Sequence, residues 1–135
     1  MKIHTLETFR VDLPFRTRFR HAAHTRRTSS SVFLRCRLDD GTVGYGECLP
    51  RPYVTGETSA SVFDLLTTRV LPELLALDFH TYDDVTAFCA GLYDWLAGRV
   101  TGLPAHYGAL CCIVELALLD AFGRHFGHGL HEASG

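Results

Sequence analysis

The densest group of chemically active side chains lies between Pro14 and Thr28. Within this segment the sequence carries seven basic or titratable side chains and no acid: Arg16, Arg18, Arg20, His21, His24, Arg26 and Arg27. Guanidinium groups bind carboxylates in a bidentate geometry, so the segment could act as a cationic lid over an anionic small molecule. The alternative is a solvated loop whose charges contribute only weak electrostatic steering.

Glu47 is the second candidate, because the predicted hairpin places its carboxylate on the apolar face of a sheet. The dipeptide Asp40-Gly41 predicts a two-residue type I′ turn, and that turn pairs Leu34 with Glu47. A carboxylate on a buried face must accept hydrogen bonds or change its pKa. We therefore expect Glu47 to be at least half buried and to anchor the following loop or an arginine. An indirect role in organising a site is the alternative.

Two other patterns do not predict a ligand site. Gly44-x-Gly46 lacks the third glycine and the following helix of a dinucleotide-binding loop, so these glycines are expected to allow close backbone approach. Three histidines near the end of the chain are spaced three residues apart, but glycines between them interrupt a continuous helix, and a solvated tail is predicted instead of a metal site. These residues are His125, His128 and His131, with Gly127 and Gly129 between them.

Length, charge and cysteine usage limit the classes of protein that remain. The chain has 135 residues, enough for one domain, and a formal net charge of -2, which argues against non-specific nucleic-acid binding. No apolar run approaches the roughly 20 residues of a membrane span, and the N-terminus lacks the apolar core of a secretory signal. Five irregularly spaced cysteines predict free buried thiols. These features favour a cytoplasmic protein.

The periodicity of apolar residues predicts three strands followed by three helices. The strands are Lys2 to Leu13, Ser29 to Asp39 and Val43 to Cys48, separated by a long loop over 14–28 and the Asp40-Gly41 turn, and followed by a Pro-rich loop over 49–57. The helices run from about Thr58 to Pro72, from Thr81 to about Leu96, and from Pro104 to about Phe122. The order predicts an α+β domain in which a three-stranded antiparallel meander is covered by helices on one face.

The third predicted helix is apolar on all sides, which is unusual for a helix at a protein surface. Between Ala109 and Phe122 only Glu115 and Asp120 are charged. A helix that is apolar all round is buried all round. Either the helix is central in the domain, or a partner covers the face that the other elements leave open. In the second case, one face of Ala109–Phe122 is exposed in this chain.

These features resemble the N-terminal capping domain of the enolase superfamily, in the muconate-lactonising and dipeptide-epimerase branch. The resemblance spans Met1 to about Leu130. Its most specific parts are a G-x-GE-x-x-P…TGE pattern and an A-L-x-D pattern in the third helix. The residues concerned are Gly44, Gly46, Glu47, Pro50, Thr55, Gly56 and Glu57, and Ala117, Leu118 and Asp120.

The resemblance implies that residues 1–130 cap a (β/α) barrel absent from this chain, with 131–135 beginning the linker to it. The barrel would supply lysine bases and the acidic ligands of a Mg²⁺ ion, which stabilises an enolate. The loops 14–28 and 49–57 would close over the barrel mouth and contact a small carboxylate substrate through His24, Arg20, Tyr53 and Val54. No catalytic or metal-binding residue is assigned to this chain, so the chain alone should be inactive.

The family's leading reactions are dipeptide epimerisation and muconate-type cycloisomerisation, with o-succinylbenzoate synthesis third, and a homo-oligomer is possible. The alternative from another class is a free-standing α+β module that binds an anionic small ligand through the arginine-rich loop. A reading frame that continues downstream for about 200 residues and contains a Lys-x-Lys strand would favour the enzyme.

Overall fold

A three-stranded antiparallel sheet forms one layer of the protein, and helices cover one face of it. A computed structural model describes the backbone of residues 1–21 and 24–133 and the side chains of residues 1–12 and 30–133. The strands are β1 (Ile3–His21), β2 (His24–Leu38) and β3 (Val43–Cys48), in the order β1-β2-β3. The helices are α1 (Pro52–Thr55), α2 (Ser59–Leu65), α3 (Leu71–Leu74), α4 (Tyr82–Ala90), α5 (Leu92–Arg99), α6 (Gly108–Phe126) and α7 (Leu130–Ala133).

The prediction of a loop over 14–28 is wrong, because β1 and β2 continue through most of this segment as a long hairpin. Backbone pairing extends from Pro14 opposite Thr28 to His21 opposite His24. Between the pairs Pro14–Thr28 and Phe19–Arg26, residues 15–18 of β1 face Arg27 alone on β2. Pro14 lacks an N–H and was expected to end the strand. The pairing of β1 with β2 instead continues past Pro14 by way of an irregular stretch.

The turn between β2 and β3 is one residue longer than predicted, and this shifts the register by one. Leu38 N–H donates to the Thr42 carbonyl at 2.8 Å, so residues 39–41 form a three-residue loop. Gly41, with φ of 89°, occupies the left-handed position that such loops require. Asp40 fixes the turn, because one carboxylate oxygen accepts the Thr42 N–H at 2.9 Å. Glu47 consequently pairs with Phe33 instead of Leu34.

The apolar face of β2 is as predicted and forms the floor of the core. Its side chains are fully buried against the helices: Val32, Leu34, Cys36 and Leu38. Alternation of side chains along a strand fixes this face without reference to the partner strand. The register error therefore left the buried face of β2 unchanged and moved only the residues of β3.

The first two predicted helices are each divided in the structure. The first begins at about Thr58, as predicted, and the Thr58 hydroxyl caps it by accepting the Ser61 N–H at 2.9 Å. A π-helical turn over Leu66–Val70 separates α2 from α3. This turn lies next to Pro72, which cannot donate a helical hydrogen bond. The second begins at Thr81, as predicted, where the Thr81 hydroxyl accepts the Asp84 N–H, and it is divided into α4 and α5 at Gly91.

The third helix is displaced by four residues at each end from its predicted bounds. It begins at Gly108 instead of Pro104 and ends at Phe126, with Gly127 as its C-cap. Gly123, the residue after the predicted end, lies inside the helix. A Cβ atom there would lie 2.8 Å from the carbonyl oxygen of His128. Gly123 is therefore required for close packing and not for ending the helix.

Helix α6 crosses β3 at a distance that only glycine permits. A Cβ atom on Gly46 would lie 2.1 Å from the Ile113 carbonyl oxygen, and one on Gly44 would lie 2.2 Å from the Ala121 nitrogen. Between them, Tyr45 donates its backbone N–H to Asp120 Oδ2 at 2.9 Å, so α6 supplies an acceptor to the edge strand. The expectation that these glycines allow close backbone approach is confirmed.

The cysteines occupy both buried and exposed positions. All five thiols are free. Burial raises the pKa of Cys36, Cys48 and Cys89 to about 12. Cys112, however, is exposed.

Of the three histidines near the end of the chain, His125 is half-buried on α6, where its Nδ1 lies 2.7 Å from Asp40 Oδ2, so the prediction of a solvated position is wrong there. His128 is exposed, as a solvated position predicts, and its Nδ1 lies 2.6 Å from Glu132 Oε2.

The Asp40 contacts tie the β2–β3 turn to the last turn of α6. The Thr42 amide, with a smaller contribution from His125, lowers the pKa of the Asp40 carboxyl to about 2.

None of the helices in residues 1–21 and 24–133 is both long and apolar enough to cross a membrane.

We expect Gly46→Ala to destabilise the domain strongly, because its methyl group would meet helix backbone and not a side chain that can move. The free energy of unfolding should fall by about 3 kcal/mol, measured by urea denaturation. Gly98→Ala is the matched control. A Cβ at Gly98 meets nothing within 4 Å, and alanine favours the helix interior. Equal stability of the two variants would contradict the close crossing.

Candidate functional site

Two segments that could face a ligand leave the sheet at the same end. Strand β3 ends at Cys48, which pairs with Val32 of β2. Beyond Val32, β1 and β2 continue as a two-stranded hairpin toward residues 21 and 24. The segment 49–57 therefore begins where this hairpin projects beyond the third strand. The candidate site is the pair formed by the hairpin beyond Pro14 and the segment 49–57.

Ser59, the first residue of α2, joins these two segments. Its hydroxyl oxygen accepts hydrogen bonds from Ser30 Oγ of β2 at 2.9 Å and from Arg10 Nη2 of β1 at 3.2 Å. The base of the hairpin is thus attached to the residue that begins the helix after segment 49–57. This junction fixes where the hairpin leaves the domain.

Segment 49–57 contains one helical turn, α1, where the sequence predicted only a loop. Pro52 starts the turn, and the Gly56 N–H closes it by donating to the Pro52 carbonyl at 3.0 Å. The turn presents Val54 with 65% of its surface exposed, and Tyr53 is exposed beside it. An apolar side chain held outward on a rigid turn is available for contact with another molecule.

Glu57 holds the end of this segment against the start of α6. The residue is 2% exposed, and its carboxylate accepts the Ala109 N–H at 2.9 Å and the Leu110 N–H at 3.0 Å. The first amides of a helix have no acceptor within the helix, and Tyr107, the N-cap of α6, provides no side-chain cap. A carboxylate from 52 residues upstream therefore caps α6 and is also favoured by the positive end of the helix dipole.

The role of buried anchor that the sequence predicts for Glu47 belongs to Glu57 in the structure. Glu47 is exposed on the outer face of the sheet. In the part of the chain that the structure describes, its carboxylate forms no hydrogen bond. The expectation of a buried anchor at Glu47 is wrong because of the one-residue shift in register. Glu57 is the buried anchor. The only sequence signal for it was its place in the TGE motif, because its partners lie far away in the chain.

Two of the predicted substrate-binding side chains, Arg20 and His24, lie outside the described side chains. Their backbones belong to the two strands of the hairpin, where Arg20 pairs with Thr25 and His24 pairs with His21. Val54 and Tyr53 are described and lie on α1. The backbone thus places all four residues beyond the end of β3, on the two segments of the candidate site.

A narrow apolar strip on α6 remains uncovered. Most of the helix is buried, including Leu110, Ile113, Leu118 and Leu119, whereas Cys112 is exposed and Leu116 is 37% exposed. Leu116 lines a groove of about 290 Å³ together with Glu115, Leu119, Leu130 and Ala133. The exposed face predicted for this helix is present, but it is limited to the narrow strip that contains Cys112 and Leu116.

The chain matches one protein family over nearly all of its length. The profile of the mandelate racemase / muconate lactonizing enzyme N-terminal domain covers residues 3–135. Among curated relatives, L-Ala-D/L-Glu epimerase of Bacillus subtilis is 30% identical over 135 residues, which is 100% of this chain and 34% of that protein. Aromatic dipeptide epimerase of Herpetosiphon aurantiacus is 29% identical over 90% of this chain and 31% of that protein.

Solved structures show the same fold. The substrate-liganded L-Ala-D/L-Glu epimerase from Bacillus subtilis superposes with a TM-score of 0.73 at 27% identity, covering 93% of this chain and 32% of that one. A dipeptide epimerase from Methylococcus capsulatus, complexed with Mg and the dipeptide L-Arg-D-Lys, gives a TM-score of 0.76 at 23% identity over 94% of this chain and 33% of that one. The chain spans about a third of the length of the relatives that it matches.

We expect Glu57→Gln to destabilise the domain, because an amide retains one acceptor oxygen but loses the charge and turns N–H groups toward a helix N-terminus. The free energy of unfolding should fall by about 2–4 kcal/mol, measured by urea denaturation. Glu47→Gln makes the same chemical change at an exposed position and should alter it by less than about 0.5 kcal/mol. A larger loss for Glu47→Gln than for Glu57→Gln would contradict the assignment.

Proposed function

The chain belongs to the mandelate racemase / muconate lactonizing enzyme N-terminal domain family of the enolase superfamily, and we propose that it caps the active site of an isomerase and selects its substrate. The complete enzyme abstracts the α-proton of a carboxylate substrate. Dipeptide epimerisation is the first candidate reaction, and muconate-type cycloisomerisation is the second. The supporting observation is that the hairpin and segment 49–57 project together from one end of the sheet, joined at Ser59.

The chain's own residues suit a specificity role. In this proposal Val54, held outward on α1, makes apolar contact with the substrate, and Tyr53 lies beside it. The hairpin opposite carries arginines and histidines without an acid, so His24 and Arg20 meet an anionic group at the far end of the substrate. Closure of both segments excludes water from the reacting centre.

The catalytic groups belong, in the same proposal, to a (β/α) barrel in the remainder of the protein. Among the described residues, no three His, Cys, Asp or Glu side chains are grouped so that they could hold a metal ion. The Mg²⁺ ion and the base that removes the α-proton are therefore assigned to the barrel, and residues 131–135 to the linker leading to it. A cytoplasmic location is part of this proposal.

The α6 strip provides a surface for that barrel. The helix is already packed on β2, β3, α4 and α5. Among its apolar side chains, those of Cys112 and Leu116 are exposed, and the groove beside them is lined by Leu130. Covering it would bury the remaining apolar surface of the helix, at about 25 cal/mol for each Å² removed from water.

We expect Leu116→Asp to have little effect in the 135-residue chain and a large one in the complete protein. In the chain alone the new carboxylate reaches water; against a barrel it would be buried without a partner. The midpoint of thermal unfolding should fall by several degrees only in the complete protein. Leu75→Asp, at an exposed leucine of the α3 C-terminus, is the control. The same small shift for both variants in the complete protein would exclude the strip as the barrel contact.

We expect His24→Ala and Arg20→Ala, made singly in the complete enzyme, to lower kcat/KM for a substrate with an anionic far end. A charge-assisted hydrogen bond contributes about 1.5–3 kcal/mol, or roughly ten- to over a hundredfold in kcat/KM. The loss should be much smaller for a neutral analogue of similar size.

Arg99→Ala controls for loss of one surface cation, because Arg99 lies on α5 beside Glu73 and Trp95. Changes below about twofold for both His24→Ala and Arg20→Ala at low salt would remove the hairpin from the site. The charges would then act only through weak steering.

A further inference from the structure

A cleft of about 320 Å³ lies beside the end of segment 49–57, between α2, the π-helical turn and the loop before α6. Two of the residues that line it are charged, Asp64 and Arg69, and two others, Leu65 and Pro104, are apolar. Its volume is at the lower end of the range for small-molecule sites. The cleft contains none of the residues to which a substrate contact has been assigned, so its charged residues call for a separate explanation.

The π-helical turn brings the two charged residues to the same cleft. Side chains three or four positions apart share a face of an α-helix, whereas Asp64 and Arg69 are five positions apart. A π-helical turn closes on the fifth residue, and this one holds Arg69 in the cleft that Asp64 lines. The hydroxyls of Thr67 and Thr68 donate to the Asp64 carbonyl at 3.2 and 2.7 Å and so support the wider turn. Such turns are frequent at functional sites.

The acid and the base are both available to a ligand, because they are not paired with each other. The ion pairs among the described residues include neither Asp64 nor Arg69, and Asp64 is exposed. Arg69 Nη1 donates to the Thr101 carbonyl at 3.1 Å and also contacts the Thr101 hydroxyl. These contacts fix the guanidinium and leave Nε and Nη2 without a partner among the described residues. Two such nitrogens side by side can bind a carboxylate through parallel hydrogen bonds.

These groups define the chemistry of the ligand that would fit. A carboxylate matches the open edge of Arg69, and an ammonium group matches the Asp64 carboxylate. An aliphatic side chain matches the apolar wall of Leu65 and Pro104. One carbon separates the two charges of an α-amino acid, which suits an acid and a base that are near each other but not in contact. We propose that the cleft binds a free α-amino acid with an apolar side chain.

Binding in this cleft would act on segment 49–57 through Gly56. This residue lines the cleft with φ of 82°, and its N–H closes α1 by donating to the Pro52 carbonyl at 3.0 Å. An amino acid beside Gly56 would hold α1, and with it Val54, in one position. The effect on substrate selection rests on the proposed capping role, whereas the binding itself does not.

Titration of the 135-residue chain with L-leucine, by calorimetry or NMR, tests the proposal. We expect a dissociation constant of about 1 mM or lower. Removing either charge from the ligand should weaken binding at least about tenfold, because each charge loses a charge-assisted hydrogen bond. N-acetyl-L-leucine lacks the ammonium group, and L-leucinamide lacks the carboxylate. Absence of L-leucine binding at about 20 mM, or equal affinity for the three compounds, would overturn the proposal.

Two substitutions connect each charge of the ligand to one residue. Asp64→Asn should weaken L-leucine binding at least about tenfold and leave N-acetyl-L-leucine binding unchanged, because that compound has no ammonium group. Arg69→Gln should likewise weaken L-leucine binding and leave L-leucinamide binding unchanged. Asp64→Asn removes no contact with a described residue, so it keeps the test decisive even where Arg69→Gln, which loses the contacts with Thr101, fails to fold.

Matched controls make the same chemical changes outside the cleft. Asp83→Asn on α4 and Arg99→Gln on α5 should leave L-leucine binding as it is in the wild type. Losses at these positions equal to those at Asp64 and Arg69 would show general electrostatic attraction and would contradict a specific site.

The amide resonances of four glycines locate the bound amino acid. Those of Gly56 and Gly102, which line the cleft, should shift on addition of L-leucine. Those of Gly41 and Gly127, which have the same left-handed backbone but lie in other turns, should not. Shifts confined to residues outside the cleft would also overturn the proposal. None of these measurements uses the enzymatic reaction, so their failure leaves the capping role untouched, and loss of the capping role leaves this site standing.

Discussion

The contact between the Glu57 carboxylate and the first amides of α6 is the constraint on which the rest of the structure depends. Helix α6 is the element against which β2, β3, α4 and α5 all pack, so its position sets theirs. Its N-cap residue offers no side-chain acceptor, and Glu57 supplies one to both Ala109 and Leu110. The same residue ends segment 49–57, so one buried carboxylate fixes both the central helix and one of the two projecting segments.

Residues of the motifs on which the family resemblance rests hold α6 against the sheet. Gly44 and Gly46 let α6 approach β3 to backbone contact, and Asp120 of the same helix accepts an edge amide of that strand. With Glu57 at the other end, α6 is held at its start and along its length. The hairpin and α1 project from this scaffold, so in the proposed capping role their side chains can be replaced without disturbing the packing.

Features decided by local chemistry could be predicted from the sequence, and features decided by distant contacts could not. The buried face of β2 follows from alternation, and the Thr81 cap follows from a partner three residues away. The register of β3 depended on a turn of three residues instead of two, an energy difference that local sequence does not resolve. Glu47 was therefore assigned to the core, and Glu57, whose partners lie 52 and 53 residues away, was missed.

Hydrogen exchange at the Ala109 and Leu110 amides, measured by NMR on the unmodified chain, is the most direct test of this account. Helix N-terminal amides without an acceptor exchange rapidly. If the Glu57 carboxylate accepts from both amides at about 3 Å, their protection should equal that of the amides in the middle of α6. Exchange at these two positions as fast as at the solvent-exposed amides of the β2–β3 turn would contradict the claim that Glu57 holds the central helix.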